Sequence, residues 1–221
     1  MNILEIRGVS KSYGKVHALR NVDLTVRRGE MVSIVGPSGS GKSTLLQIAG
    51  TLDRPTSGTV RVAGHDVSVL SDSELSALRA RYIGFVFQQF HLSPGSSALD
   101  NVADGLLYSG LSRRQRRDRA AAALDRVGLG NRLAHRPHQL SGGQMQRVAV
   151  ARAVAGEPPL LLADEPTGNL DSEAGAEVMS LFRKLNAGGV TIAIITHDSE
   201  VAMACPRRIR VRDGLVRSEV S

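Results

Sequence analysis

One segment restricts the fold of this chain more than any other. The run Met31-Val32-Ser33-Ile34-Val35 leads directly into Gly36-Pro37-Ser38-Gly39-Ser40-Gly41-Lys42-Ser43, and a helical pattern follows over residues 42–50. A short apolar run of this kind reads as a strand buried on both faces of a parallel sheet. A strand passing through G-x-x-x-x-G-K-S into a helix is a phosphate-binding turn: its backbone N–H groups and the positive helix end converge on an anion. Gly36, Gly39 and Gly41 let the backbone approach oxygen with no Cβ in the way. Lys42 supplies a point charge to the β- and γ-phosphates, and the Ser43 hydroxyl suits Mg²⁺.

The rest of the chain has to supply a sheet for that strand. Residues 4–7 and 22–26 alternate apolar and polar, as half-buried strands do. Residues 55–58, Pro-Thr-Ser-Gly, read as a turn, with strands at 58–62 and 81–87. Between about 90 and 155 the pattern turns helical, with helices at 112–127 and 141–154. Strand 160–163, helix 172–185 and strand 191–196 then follow. Alternating strands and helices imply a mainly parallel sheet. The expectation is one α/β domain over residues 1–221. Its core and N-terminal β subdomain cover about 1–87 and 156–221, and a helical lobe is inserted at about 88–155.

Two acids, Asp164-Glu165, end the apolar run Leu160-Leu161-Leu162-Ala163. At that position Asp164 is placed to hold Mg²⁺ opposite Ser43. Glu165 projects differently and is placed to deprotonate an attacking water. His197 follows strand 191–196 at its carboxyl end, where ligands sit in open parallel sheets. It is expected to contact the γ-phosphate.

Bulk properties exclude other classes. There is no Trp and aromatic content is 3%, too little for a platform that stacks single-stranded nucleic acid. The single cysteine, Cys205, allows no internal disulfide and no cysteine-cluster metal site. His135 and His138 lack a third ligand nearby in sequence. The formal net charge is +7; lysine stands only at 11, 15, 42 and 184, so arginine supplies the other 24 of 28 basic side chains. The arginines at 113, 114, 116, 117 and 119 read as a solvated helix face. No stretch approaches the ~20 apolar residues of a membrane span, and the N-terminus lacks the zones of a signal peptide. A cytoplasmic protein is expected.

A third motif, Leu140-Ser141-Gly142-Gly143-Gln144, makes the combination specific. With the glycine loop and Asp164-Glu165, in this order, the chain from about residue 3 to 215 resembles the ATP-binding subunit of an ABC transporter. That resemblance implies an ATPase that uses ATP and Mg²⁺ and works as a homodimer beside an integral membrane permease on a separate chain. It implies an ATP site running from Gly36, Pro37, Ser38, Gly39, Ser40, Gly41, Lys42 and Ser43 to Thr44, with Tyr13 stacked on adenine. Gln88 joins Ser43 and Asp164 at the metal. Ser141, Gly142, Gly143 and Gln144 reach the γ-phosphate on the opposite subunit, and Asp171, in Gly168-Asn169-Leu170-Asp171, lies in the loop crossing the interface.

The stretch 164–171 and Phe90-His91-Leu92 look like the subgroup that serves lipoprotein release, macrolide or peptide efflux and cell-division signalling. The subgroup works by export or mechanotransmission, from the inner face of the cell membrane. The chain departs from it at residues 93–97 and at Asp104-Gly105, the region where the family docks its permease. No regulatory domain is expected after Gly214-Leu215. The rival reading is a non-transport ABC ATPase acting on nucleic acid or the ribosome, which the basic charge suits. Against it stands the absence of tandem ATPase domains, a long coiled coil or zinc-binding cysteines, and a nucleic-acid partner is not expected.

Overall fold

The computed structural model describes residues 1–220, with side chains through 217. The chain forms two sheets. The first is antiparallel, in the order β2-β1-β4-β5: β1 (Asn2–Tyr13), β2 (Val16–Arg27), β4 (Ser57–Val62) and β5 (His65–Asp66). Its buried residues include Leu4, Ile6, Leu24, Val26, Val60 and Val62, and from Val22 in β2 and Val60 in β4 they alternate with exposed ones. They pack with the helix that follows the glycine loop.

The second sheet holds β3 (Met31–Val35), β6 (Ile83–Phe87), β7 (Leu160–Asp164), β8 (Thr191–Ile195), β9 (Arg207–Arg212) and β10 (Leu215–Val220), in the order β10-β9-β3-β8-β7-β6. All neighbours run parallel except the β9–β10 hairpin. The central strands are buried on both faces: every residue of β8 is buried, as are Leu160–Ala163 of β7. The architecture is an α/β fold with a mainly parallel sheet flanked by helices and an N-terminal antiparallel subdomain.

Helices α1 (Lys42–Ala49), α2 (Asp72–Tyr82), α6 (Ser172–Ala187) and α7 (Ser199–Met203) flank the sheets. Helices α3 (Ala98–Asp104), α4 (Arg113–Arg126) and α5 (Gly142–Val154) pack on one another around Val102, Ala120, Leu124, Val148 and Ala151.

Two local readings change. The expected strand at 81–87 begins at Ile83, because Arg81 and Tyr82 complete α2. That helix is set by a capping box in which Ser71 accepts from the Glu74 N–H and the Glu74 carboxylate accepts from the Ser71 N–H. The arginine run is not uniformly solvated. Arg116 and Arg117 are half-buried, and Arg117 pairs with Asp100 of α3, tying α4 to α3. The departure at 93–97 has an organising residue, buried Asn101. Its Oδ1 accepts from the Ser93 N–H at 2.7 Å and its Nδ2 donates to the carbonyls of Ser93, Ser96 and Ser97.

Candidate functional site

Among the described residues, α1 differs from the other α-helices at its start. The six later ones each carry a Ser or Asp whose side chain caps the first turn: Ser71, Ser97, Ser112, Ser141, Asp171 and Asp198. Helix α1 starts at Gly41 in a left-handed conformation, with no side-chain cap and no acid in its first turn. Its first N–H groups therefore lack intrahelical acceptors, which is the arrangement an anion would complete. Gly36 and Gly41 are forced by their surroundings. A Cβ would stand 2.1 Å from the Val211 carbonyl oxygen at Gly36, and 2.4 Å from that of Ala18 at Gly41. The Lys42 ammonium donates to the carbonyls of Gly36 at 2.8 Å and Pro37 at 2.9 Å, so its charge is held over the loop. The Ser40 hydroxyl is buried without a partner. Beside the loop, a pocket of about 310 Å³ is lined by His17, Arg20, Lys42, Ser43, Thr44 and Asp213.

Sheet register brings the acids to this loop. Asp164 stands opposite Phe87 on β6 and Ile195 on β8, so the chain leaves three adjacent strands at the same level. The loops carrying Gln88, Glu165 and His197 therefore start side by side. Burial raises the pKa of Asp164, the neighbouring Glu165 charge raises it further, and Lys42 opposes both. Glu165 adopts φ +46°, left-handed for a residue with a side chain, a strain of the kind that gathers at functional sites. Its N–H donates to the Ile195 carbonyl at 2.9 Å. Its carboxylate meets His197 twice, at Nδ1 (2.7 Å) and at the backbone N–H (3.3 Å).

Gln88 donates through Nε2 to Asn169 Oδ1 at 3.2 Å, and Asn169 returns a bond from Nδ2 to the Gln88 carbonyl. This reciprocal pair leaves the Gln88 amide oxygen uncommitted. That oxygen, the Ser43 hydroxyl and the Asp164 carboxylate are hard oxygen donors of the kind Mg²⁺ takes. No cluster of three or more His, Cys, Asp or Glu side chains stands ready for a metal among the described residues. The fit is to a cation that completes its shell with phosphate and water.

Ser141 caps α5, accepting from the Gln144 N–H while the Gln144 side chain accepts from the Ser141 N–H. Gly143 has a packing reason of its own: a Cβ there would lie 2.8 Å from Ala174 Cβ on α6. No hydrogen bond joins residues 141–144 to the glycine loop among the described residues. Asp171 caps α6 through the Ala174 N–H at 2.8 Å. Tyr13 is half-exposed on the β1–β2 hairpin, and its hydroxyl donates to Asp53.

Sequence reading missed three residues that hold these loops. Gln146, fully buried, donates to the carbonyls of Pro166 at 2.6 Å and Phe87 at 3.2 Å. Arg152 donates to the carbonyls of His91 and Phe90. Asn169 is the third. The available signal was polarity: Gln146 and Arg147 precede the apolar run 148–151, and Arg152 breaks its continuation on α5.

The phosphate loop, the uncapped helix and the acid–histidine pair at neighbouring strand ends together define a nucleoside-triphosphate hydrolase of the ABC type. The ABC transporter family model matches residues 19–168, and the chain belongs to that family. Across 96% of this chain and 94% of its own length, the "Uncharacterized ABC transporter ATP-binding protein YknY" of Bacillus subtilis (strain 168) is 51% identical. The "Macrolide export ATP-binding/permease protein MacB" of Nitrobacter winogradskyi is 50% identical over 98% of this chain, which spans only 34% of that relative. Among solved structures, the ATP-binding cassette MJ0796, described as dimeric in a post-hydrolysis state with ADP and Pi, superposes with a TM-score of 0.88. It is 46% identical, with 98% of both chains covered. The protein is an ABC ATPase, and ATP is its nucleotide.

Proposed function

We propose that this chain is the ATPase subunit of a membrane export or mechanotransmission complex, working as a homodimer beside a permease on a separate chain. The observation that carries the reading is the junction of uncapped α1, Lys42, Asp164 and the Glu165–His197 pair at the carboxyl ends of adjacent strands. The loop amides of residues 36–44 and the Lys42 ammonium neutralise the triphosphate. Ser43, Gln88 and Asp164 would hold Mg²⁺, which would supply charge neutralisation to the triphosphate. Glu165 accepts the proton of the water that attacks the γ-phosphorus as the bond to ADP breaks. His197, fixed through Nδ1 by Glu165, keeps Nε2 to face the γ-phosphate. Tyr13 stacks on the base.

Ser141, Gly142, Gly143 and Gln144 complete the site of a second copy, with Asp171 in the interface between them. The dimeric MJ0796 cassette supports this pairing. The helices around 88–155 act as a lobe that moves against the core. A partner in the membrane is supported by the MacB relative, which names ATP-binding and permease functions together; no described helix is itself long and apolar enough to cross a bilayer. Through that partner the chain sits at the inner face of the membrane. The cleft of about 570 Å³ between α3 and α4, lined by Ser96, Asp100, Asp104, Arg113, Arg117 and Arg136, lies in the region proposed for docking. Neither the fold nor these relatives favour action on nucleic acid or the ribosome.

The test is a pull-down from solubilised membranes with tagged E165Q and MgATP. A multi-spanning permease at stoichiometric yield is expected. Nucleic acid or ribosomal proteins without a permease would overturn the reading.

A further inference from the structure

Tyr13 and the phosphate loop belong to different parts of the fold. Tyr13 ends β1 at the tip of the antiparallel hairpin, opposite Val16, while Lys42–Thr44 begin α1. A base stacked on Tyr13 and a triphosphate in the loop belong to one ligand, so fixing the separation of these two elements lets both be gripped together. Besides the Thr44 side chain, which interacts with Tyr13 directly, the residue that spans them is Asp53, in the turn that follows α1. Its Oδ2 accepts from the Tyr13 hydroxyl at 2.6 Å and its Oδ1 accepts from Lys11 Nζ at 2.7 Å. Its own N–H is held to the Gln47 carbonyl of α1 at 3.3 Å.

Lys11 completes the arrangement. Its ammonium donates also to the Arg54 carbonyl at 2.7 Å and lies 4.9 Å from the centroid of the Tyr13 ring. Three simultaneous contacts within so small a volume suit a compact ammonium better than a planar guanidinium. It is notable that lysine stands here in a chain where 24 of 28 basic residues are arginine. The pair is not a loose surface contact: the side chains of Lys11 and Asp53 are 12% and 29% exposed. Burial disfavours the Asp53 charge, but the bonds from Lys11, Tyr13 and the Arg54 N–H outweigh it and hold the carboxyl below its usual range. The aspartate is thus an anionic acceptor that fixes the phenol at one end of the ring, with the Lys11 cation over its π-face.

We propose that Asp53, held by Lys11, is a positioning residue for nucleotide binding: it locks the Tyr13 ring in register with the phosphate loop so that base and triphosphate are gripped together. The proposal rests on the reading of Tyr13 as the base-stacking residue. Pre-set ring orientation removes an ordering cost from binding. Its loss therefore weakens ligands that carry a base and leaves bare polyphosphate alone.

Charge argues the other way. Asp53→Ala removes a negative charge from the neighbourhood of α1, which by itself favours every polyanion. A loss confined to ATP therefore cannot come from charge, and a general disturbance of α1 would weaken both ligands.

The experiment is calorimetric titration of the full chain with MgATP and with magnesium tripolyphosphate. The proteins are wild type, Y13A, Y13F, D53A and D53A/Y13F. Y13F retains the ring and deletes only the hydroxyl, so it remains informative even if D53A folds poorly. Y13A is expected to weaken ATP about tenfold or more, the range of base–aromatic stacking. D53A and Y13F are each expected to weaken ATP about threefold to tenfold, and the double variant to be no weaker than either. Tripolyphosphate affinity is expected to stay within about twofold of wild type throughout, the ordering cost being absent. Equal loss of ATP and tripolyphosphate in D53A would make Asp53 a structural staple and overturn the proposal. So would wild-type ATP affinity in both D53A and Y13F while Y13A is weakened. Wild-type affinity in Y13A would instead remove the stacking role of Tyr13, and the proposal with it.

Discussion

Replacing Gln146 tests whether the acid loop is held from below by α5. The side chain is fully buried, with Nε2 bonded to the carbonyls of Pro166 and Phe87 while Oε1 has no partner. Gln146→Ala loses two hydrogen bonds at about 1 kcal/mol each and roughly 1 kcal/mol of buried methylene. Removing the unpartnered Oε1 returns about 1 kcal/mol of that. The expected loss is about 2 kcal/mol, which at roughly 2–4 °C per kcal/mol lowers the Tm by about 6 °C. Gln146→Leu restores the volume without the bonds, leaving both carbonyls unpaired, and is expected to lose about 1–2 kcal/mol. Urea denaturation of the nucleotide-free protein measures both. Because Pro166 follows Glu165, both variants are also expected to lower kcat for ATP more than they raise KM. A Gln146→Leu protein as stable and as active as wild type would refute the argument, since then packing alone, and not the two bonds, would fix the loop.

Other outcomes follow from the same geometry. Glu165→Gln is expected to bind ATP, to hydrolyse it at least about 100-fold more slowly and to elute as a dimer with MgATP; unimpaired turnover would remove Glu165 as the base. Asp164→Asn is expected to raise the Tm at neutral pH while weakening Mg²⁺-dependent nucleotide binding. The native carboxyl holds its proton more tightly than the unfolded one, so its charge destabilises the fold increasingly as pH rises through the unfolded value of about 4 and then the raised native one. The stability gap between variant and wild type should therefore close in acid, and a gap independent of pH would contradict the assignment. Gly143→Ala drives a methyl against Ala174 and is expected to cost about 1–3 kcal/mol, with Ala174→Gly restoring most of it in denaturation experiments. The Cys205 thiol, pushed up to about 11 by burial, is expected to resist iodoacetamide at pH 8 until the chain is unfolded.

What the sequence discloses depends on whether a signal is local. The strand–loop–helix around Lys42 is local: strand pattern, glycines and lysine are contiguous, and the fold reproduces their order. Helix α2 escapes because its polar sequence buries little beyond Leu75 and Leu78; its cap makes it a helix, with no apolar stripe. Strand β9 escapes because arginines at 207, 208, 210 and 212 mask the buried Ile209 and Val211. In the candidate site, the positions of Asp164, Glu165 and His197 at strand ends are legible, since each follows an apolar run. The supports are not. Gln146 meets Phe87 and Pro166 across 59 and 20 residues, and Tyr13 meets Asp53 across 40. No periodicity encodes a partner at that distance; helix packing and turns bring them together, around strand ends that the sheet register aligns.

That register also explains why the supports cluster on one side. Strand β6 is the edge of the larger sheet, so the chain leaving it at Gln88 has β7 on one flank only. On the other flank it meets the helices. Arg152 grips the carbonyls of Phe90 and His91, Gln146 that of Phe87, and Asn169 that of Gln88. Three backbone carbonyls of the loop and the last of the strand are thus bonded to side chains of α5 or of the loop after Glu165. Rotating α3–α5 as a body would either carry residues 87–91 along or break hydrogen bonds at about 1 kcal/mol each. Gln88, the residue proposed for the metal, is therefore tied to the helices through its neighbours Phe87, Phe90 and His91, and to the loop after Glu165 through Asn169. In a centre strand the same glutamine would be clamped by neighbours on both sides, and helix motion could not reach it.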